Sequence, residues 1–220
     1  PDGHPWTSTD FTKFDIEALR ALLSNSNKWV RQTAVRTLSE RLMSRDFPVG
    51  QTFLSVQAAR DSFAAVTKSN GPGALESLWI VARTGGFTPE LAMELLSSPN
   101  PDIRRWTVRL IGDERRTDDA LGARLAQLAH EESYVQVRSQ LASTAKRLPA
   151  KYALPIVQEL LKRDEDQTDL HLPLLIWWAL EAQCGGDRAA VLVRAAGAQQ
   201  RAHVGGDVAL LPLGLLHDRL

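Results

Sequence analysis

The chain has 220 residues, of which 44% are hydrophobic and 24% charged, so it can bury a sizeable core and does not have the composition of a disordered segment. Lys+Arg and Asp+Glu both total 26, and this zero net charge weighs against nucleic acid or an anionic membrane as a bulk electrostatic partner. Cys184 is the only cysteine, which excludes an internal disulfide framework and any cysteine-rich zinc or Cys-x-x-Cys site.

Residues 1–14, with Gly3, Pro5 and several Ser/Thr, read as a linker from a preceding domain. From residue 15 to 220 the pattern is helical throughout. Six pairs of helices are expected: 15–24 with 28–44, 52–68 with 73–84, 88–97 with 101–112, 117–131 with 134–147, 152–163 with 169–182, and 187–198 with 206–219. Helix starts are marked by Thr88-Pro89-Glu90, Asn100-Pro101-Asp102 and Thr117-Asp118-Asp119, where a capping side chain precedes a proline or an acid in the first turn. Gly85-Gly86, Gly112 and Gly185-Gly186 read as helix stops. Nothing alternates with period two over more than a few residues, so no sheet is expected. The apolar run Val208–Leu216 is broken by Pro212 and Gly214 and is too short to span a bilayer; no membrane insertion is expected.

A repeat emerges from three stretches in which an apolar helix end and a polar turn lead to a β-branched residue followed by arginine: Val30-Arg31, Ile103-Arg104 and Val137-Arg138. The arginines are 73 and 34 residues apart, which fits two repeat lengths and then one. Behind each, apolar or small residues recur every fourth position (Val30, Ala34, Leu38; Ile103, Thr107, Ile111; Val137, Leu141, Ala145), one stripe of a helix. A helical hairpin of this length cannot bury its apolar face alone and must stack on its neighbours. The expected fold is therefore all-α, a right-handed α-solenoid of about six HEAT-like hairpins, in which Val30, Ile103 and Val137 become equivalent points of one apolar spine.

The Val-Arg signature after a Pro/Asp/Asn turn resembles the HEAT repeat family from Asp15 to about Leu180. Three segments (Leu22 to Ala34, Pro101 to Asp113 and Leu172 to Leu180) are more closely similar to the HEAT portion of large planctomycete-type haem-binding, membrane-bound dehydrogenase-like proteins. That resemblance implies a β-propeller before the repeats, a cytochrome c domain after them, a periplasmic or otherwise extracytoplasmic setting, and haem c in the parent protein. The Cys-x-x-Cys-His haem motif is absent here, since Cys184 is followed by Gly185, so no cofactor is expected in this segment.

Few residues suggest chemistry. His4, His130, His171, His203 and His217 are scattered without metal-ligand spacing, and Cys184 has no base beside it in sequence. Glu131-Glu132 and Asp164-Glu165-Asp166 fall in turns, where acids cap the next helix or face water. No catalytic, cofactor or metal residue is assigned. The second helices are richer: Arg31, Arg36, Arg104, Arg105, Arg109 and Arg138, with Trp106 and Trp177, are candidates for an interaction surface on the concave wall that second helices line in HEAT arrays. For Arg31, Arg104 and Arg138 the favoured reading is that each bonds neighbouring turn carbonyls or acids and fixes repeat stacking, and for Trp29, Trp106, Trp177 and Trp178 that most of them fill gaps between repeats. The first, third and fourth second helices are net positive and their first helices net negative, so the concave face is expected to be the more positive one. These features imply a non-catalytic scaffold or protein-interaction module whose partners are neighbouring domains of the same polypeptide or another protein. A HEAT-like DNA-glycosylase-type nucleic-acid binder is the alternative.

Overall fold

A computed structural model describes residues 10–43, 53–69, 71–115 and 117–184. Ten α-helices occur among them: α1 (Ile16–Ala21), α2 (Lys28–Met43), α3 (Phe53–Ser69), α4 (Ala74–Arg83), α5 (Pro89–Leu95), α6 (Pro101–Glu114), α7 (Asp119–Glu131), α8 (Val135–Ala145), α9 (Ala150–Leu160) and α10 (Leu172–Cys184). The described residues contain no strand and are all-α. The helix pair expected over 187–198 and 206–219 lies outside the described residues.

The capping chemistry explains where helices begin. Thr88 Oγ1 accepts from Leu91 N, Asn100 Oδ1 from Asp102 N, and Asp118 Oδ1 from Leu121 N, each satisfying an amide that has no partner within its helix. Gly85, at φ +77°, ends α4 in the left-handed region that glycine enters without a Cβ penalty. Gly112 is different. Although expected to stop a helix, it lies inside α6, which runs on to Glu114. Its role is close approach: a Cβ there would sit 2.9 Å from both Oγ1 and Cγ2 of Thr144.

The chain divides into two compact units, Pro1–Leu110 and Ile111–Leu220, with the division falling within α6. In the first unit α1 packs on α2, α3 on α4, α2 on α4, and α3 on α5. Its core is built from fully buried Leu19, Leu38, Phe63, Leu78, Ile80 and Leu95. Residues 10–14, part of the expected linker, form a 3-10 turn capped by Asp10. Its Phe11 is buried edge-on against Trp29, and Arg41 donates to the carbonyls of Thr12 and Phe14.

In the second unit α7 packs on α9 and α8 on α10, while α8 and α10 also pack on α9. First helices of successive pairs thus lie on first helices and second on second. Leu125, Val137, Leu141, Ile156 and Leu172 form the core. Burial of such side chains, each contributing roughly 1.5–3 kcal/mol, is what holds helices this short, because isolated helices of this length are marginal in water.

Candidate interaction surface

Arg31, Arg104 and Arg138 each fall in the first turn of a second helix, four residues in, and each reaches back across the turn that precedes it. Arg31 Nη1 donates to the carbonyl of Asn25 at 2.7 Å, Arg104 Nη1 to that of Ser98 at 2.7 Å, and Arg138 Nη1 to that of Glu132 at 3.1 Å. The acceptor is always six residues back. Arg31 and Arg138 add a second bond to the carbonyl five back, Ser26 at 3.0 Å and Ser133 at 2.8 Å. These carbonyls belong to turns that regular helix bonding leaves unsatisfied, and a guanidinium has enough donors in a rigid fork to serve two of them and still bind an acid.

The acid differs between the pairs. Arg31 Nε donates to Glu76 Oε1 at 2.7 Å, from the first turn of α4. Arg138 forks onto Asp166, with Nε 2.7 Å from Oδ2 and Nη2 on Oδ1, and both side chains are buried. The bond to Asp166 holds the Arg138 guanidinium above its ordinary pKa despite burial, so it stays charged. All three arginines are therefore committed to turns of the protein itself, and in Arg138 the guanidinium has almost no solvent face.

The remaining candidates lie further along their helices. Arg36 is exposed and 3.9 Å from Glu40. Arg105 is half-buried, 3.0 Å from Asp102. Arg109 lies over the ring of Trp106 at 5.0 Å, and Trp106 meets Trp79 of α4 edge-on at 5.1 Å. A guanidinium held against an indole face is attracted by the ring quadrupole, which leaves a polar rim around an aromatic centre. The structure thus brings Trp106 and Arg109 together in the first unit; Trp177 belongs to the second, where it is exposed on α10. Trp29 and Trp178 are exposed as well, Trp178 with Lys146 Nζ 5.5 Å from its ring, so these three tryptophans do not fill gaps.

Trp79 was not singled out by sequence, though a signal existed: Trp79, Trp106 and Trp177 are each the sixth residue of their helix. Glu76 and Asp166 were also missed as the partners of arginine. The acids of the Asp164–Asp166 turn were expected to cap or face water, yet Asp166 is buried under Arg138.

Titratable groups elsewhere form pairs and groups of three, Glu159 for instance pairing with both His130 and Lys162. His130 Nδ1 is 3.1 Å from Glu159 Oε2. Asp119 accepts hydrogen bonds from the Lys151 ammonium and the Tyr152 hydroxyl, which hold its carboxyl below the usual range, and its carboxylate in turn pushes the Tyr152 hydroxyl up. No group of three or more His, Cys, Asp or Glu is placed to hold a metal among the described residues, and no helix among them is long and apolar enough to cross a membrane. His4, His203, His217 and the side chain of Cys184 lie outside what the structure describes. Compared with known proteins, the chain matches no family model, no curated protein and no solved structure.

Proposed function

We propose that the chain is part of a right-handed α-solenoid of about six HEAT-like hairpins. It works as a non-catalytic scaffold or protein-interaction module that presents the exposed arginines and tryptophans of its second helices to an acidic protein segment. The observation that carries the reading is the like-with-like stacking of α7 on α9 and α8 on α10, together with an arginine that ties the turn before α2, α6 and α8 in the same way. Stacked hairpins create long surfaces with no deep pocket, which suits binding an extended partner better than enclosing a substrate. On the resemblance to haem-binding dehydrogenase-like proteins, the module is a spacer in a larger exported redox protein; a propeller encoded upstream and Cys-x-x-Cys-His downstream would support that parentage.

The test is fluorescence anisotropy of the whole chain with a labelled glutamate-rich peptide and with a labelled DNA duplex. The reading expects weak, salt-sensitive peptide binding that drops at least tenfold when Arg36, Arg105 and Arg109 are all changed to Glu. Preference for the duplex, with affinity falling steeply as salt rises, would instead favour a nucleic-acid binder. Binding to neither would leave the charged face without a role.

A further inference from the structure

α4 carries one inward and one outward stripe. Ala74, Ser77, Leu78 and Val81 are buried, whereas Leu75, Trp79 and Arg83, each four residues after the last, are half-buried or exposed. The part of α6 that belongs to the first unit presents Asp102, Arg105, Trp106 and Arg109 in the same way. Trp79 and Trp106 join the two stripes, their rings edge-on at 5.1 Å. Charge on this surface is one-sided. Arg83, Arg105 and Arg109 stand against one acid, Asp102, which is 3.0 Å from Arg105, while Glu76 of α4 is buried under Arg31. Trp79 adds a second, independent signal. Its Nε1 is buried and has no hydrogen-bond partner. An indole nitrogen can only donate, and buried donors are almost always paired.

We propose that a side-chain carboxylate of the acidic partner docks here, accepting a hydrogen bond from Trp79 Nε1 while the arginines beside it balance its charge. The inference rests on the interaction-module reading above and names the group that the partner brings. An anion that only accepts hydrogen bonds answers both the orphan donor and the excess of arginine; in an acidic protein segment that anion is the carboxylate of Asp or Glu. Trp79 and Arg109 both lie against Trp106, at 5.1 and 5.0 Å from its ring, so one ligand can meet them together. Trp79 is half-buried while Leu78 and Ile80 beside it fill the core, so its indole belongs to the surface layer, where long exposed side chains such as Arg83 and Arg109 can move aside.

The test uses the whole chain, the labelled glutamate-rich peptide with its C-terminus amidated, and a variant in which benzothienylalanine replaces Trp79. That analogue puts sulfur in place of the N–H with almost no change of shape. Peptide affinity should fall roughly tenfold, the order expected when a hydrogen bond to a charged group is lost. The urea midpoint should not fall, because no bond within the protein is removed. The same replacement at Trp177, in the second unit, should leave affinity unchanged. In isotopically labelled protein the Trp79 indole proton, identified by its absence from the variant, should move downfield as peptide is added. Unchanged affinity in the Trp79 variant, or an equal loss at Trp177, would overturn the proposal. So would an indole proton that lies upfield and ignores the peptide, as a donor aimed at the face of Trp106 does. A peptide with every Glu changed to Gln should bind roughly tenfold more weakly or worse, and equal binding would refute the carboxylate. Each of these failures leaves the broader reading to the loss on changing Arg36, Arg105 and Arg109, whereas absence of any peptide binding to the unaltered chain ends both.

Discussion

The guanidinium of Arg138 and the carboxylate of Asp166, 28 residues apart, form a two-pronged ion pair with 5% and 4% of their residues exposed. The same guanidinium closes the Glu132–Ser133 turn, so one side chain links the turn before α8 to the 3-10 turn before α10. Taking both charges out of water is costly, and the fork geometry is what offsets the cost.

Arg138→Ala should destabilise the protein by about 3–5 kcal/mol, because it leaves a buried carboxylate and two turn carbonyls without a donor. Arg138→Lys should recover only part of this, since an ammonium cannot fork onto two carboxylate oxygens while reaching the turn. The pair Arg138→Met with Asp166→Leu should cost less than Arg138→Ala alone. Urea midpoints of the four proteins provide the check; equal losses in the single and paired variants would show that the turn bonds, and not the ion pair, dominate.

Acid stability follows from carboxylates whose folded-state pKa is depressed. Hydrogen bonds from Lys151 and then Tyr152 lower Asp119, and the amides of His171 and Leu172 lower Asp169. Each releases its proton more readily in the folded chain than in the unfolded one. Their stabilisation is therefore complete above the ordinary carboxylate range near pH 4 and is lost as pH falls through the lower folded values. Asp169→Asn and Asp119→Asn should each flatten the fall in urea midpoint between pH 5 and pH 2. A profile unchanged from that of the original chain would contradict the assignment.

Val30, Ile103 and Val137 were expected to be equivalent, and the structure separates them: Ile103 and Val137 are fully buried, whereas Val30 is half-buried. Truncation to Ala at Ile103 should cost about 2–5 kcal/mol and at Val137 somewhat less, scaled to the methyl groups lost, while Val30→Ala should cost under about 1 kcal/mol. Thermal denaturation of the three variants separates the values; a similar loss at all three would restore the equivalence.

What could be read in advance was local. Caps at Thr88, Asn100 and Asp118 sit within three residues of the amides they serve, so residue type and spacing alone revealed helix starts. The Val-Arg pairs were legible for the same reason, because each arginine reaches a turn six residues away. The acids escaped because they come from other pairs at inconsistent separations, 45 residues for Arg31 and Glu76 but 28 for Arg138 and Asp166. Gly112 misled because glycine serves two purposes, ending a helix or admitting a neighbour, and only the position of Thr144 distinguishes them. The surface tryptophans were misjudged on composition, since a large apolar side chain signals a buried area without saying what covers it.

A second glycine provides the sharpest packing test. Gly122 of α7 is buried under the ring of Tyr152, and a Cβ at that position would lie 2.3 Å from Tyr152 Cδ1. The ring is not free to turn aside, because its hydroxyl is hydrogen-bonded to Asp119 Oδ1 at 2.8 Å, one turn earlier on the same helix. Gly122→Ala should therefore destabilise the protein by about 1–3 kcal/mol even though alanine favours a helix interior over glycine by roughly 0.5–1 kcal/mol. Removing the ring reverses the sign: in a Tyr152→Ala background the added methyl has space, and only the helix preference remains, so Gly122→Ala should become neutral or mildly stabilising. The two substitutions are then strongly coupled, and a double-mutant cycle by urea denaturation measures the coupling directly. Additive losses would mean that α7 and α9 can slide apart at no cost and that Tyr152 does not set their approach.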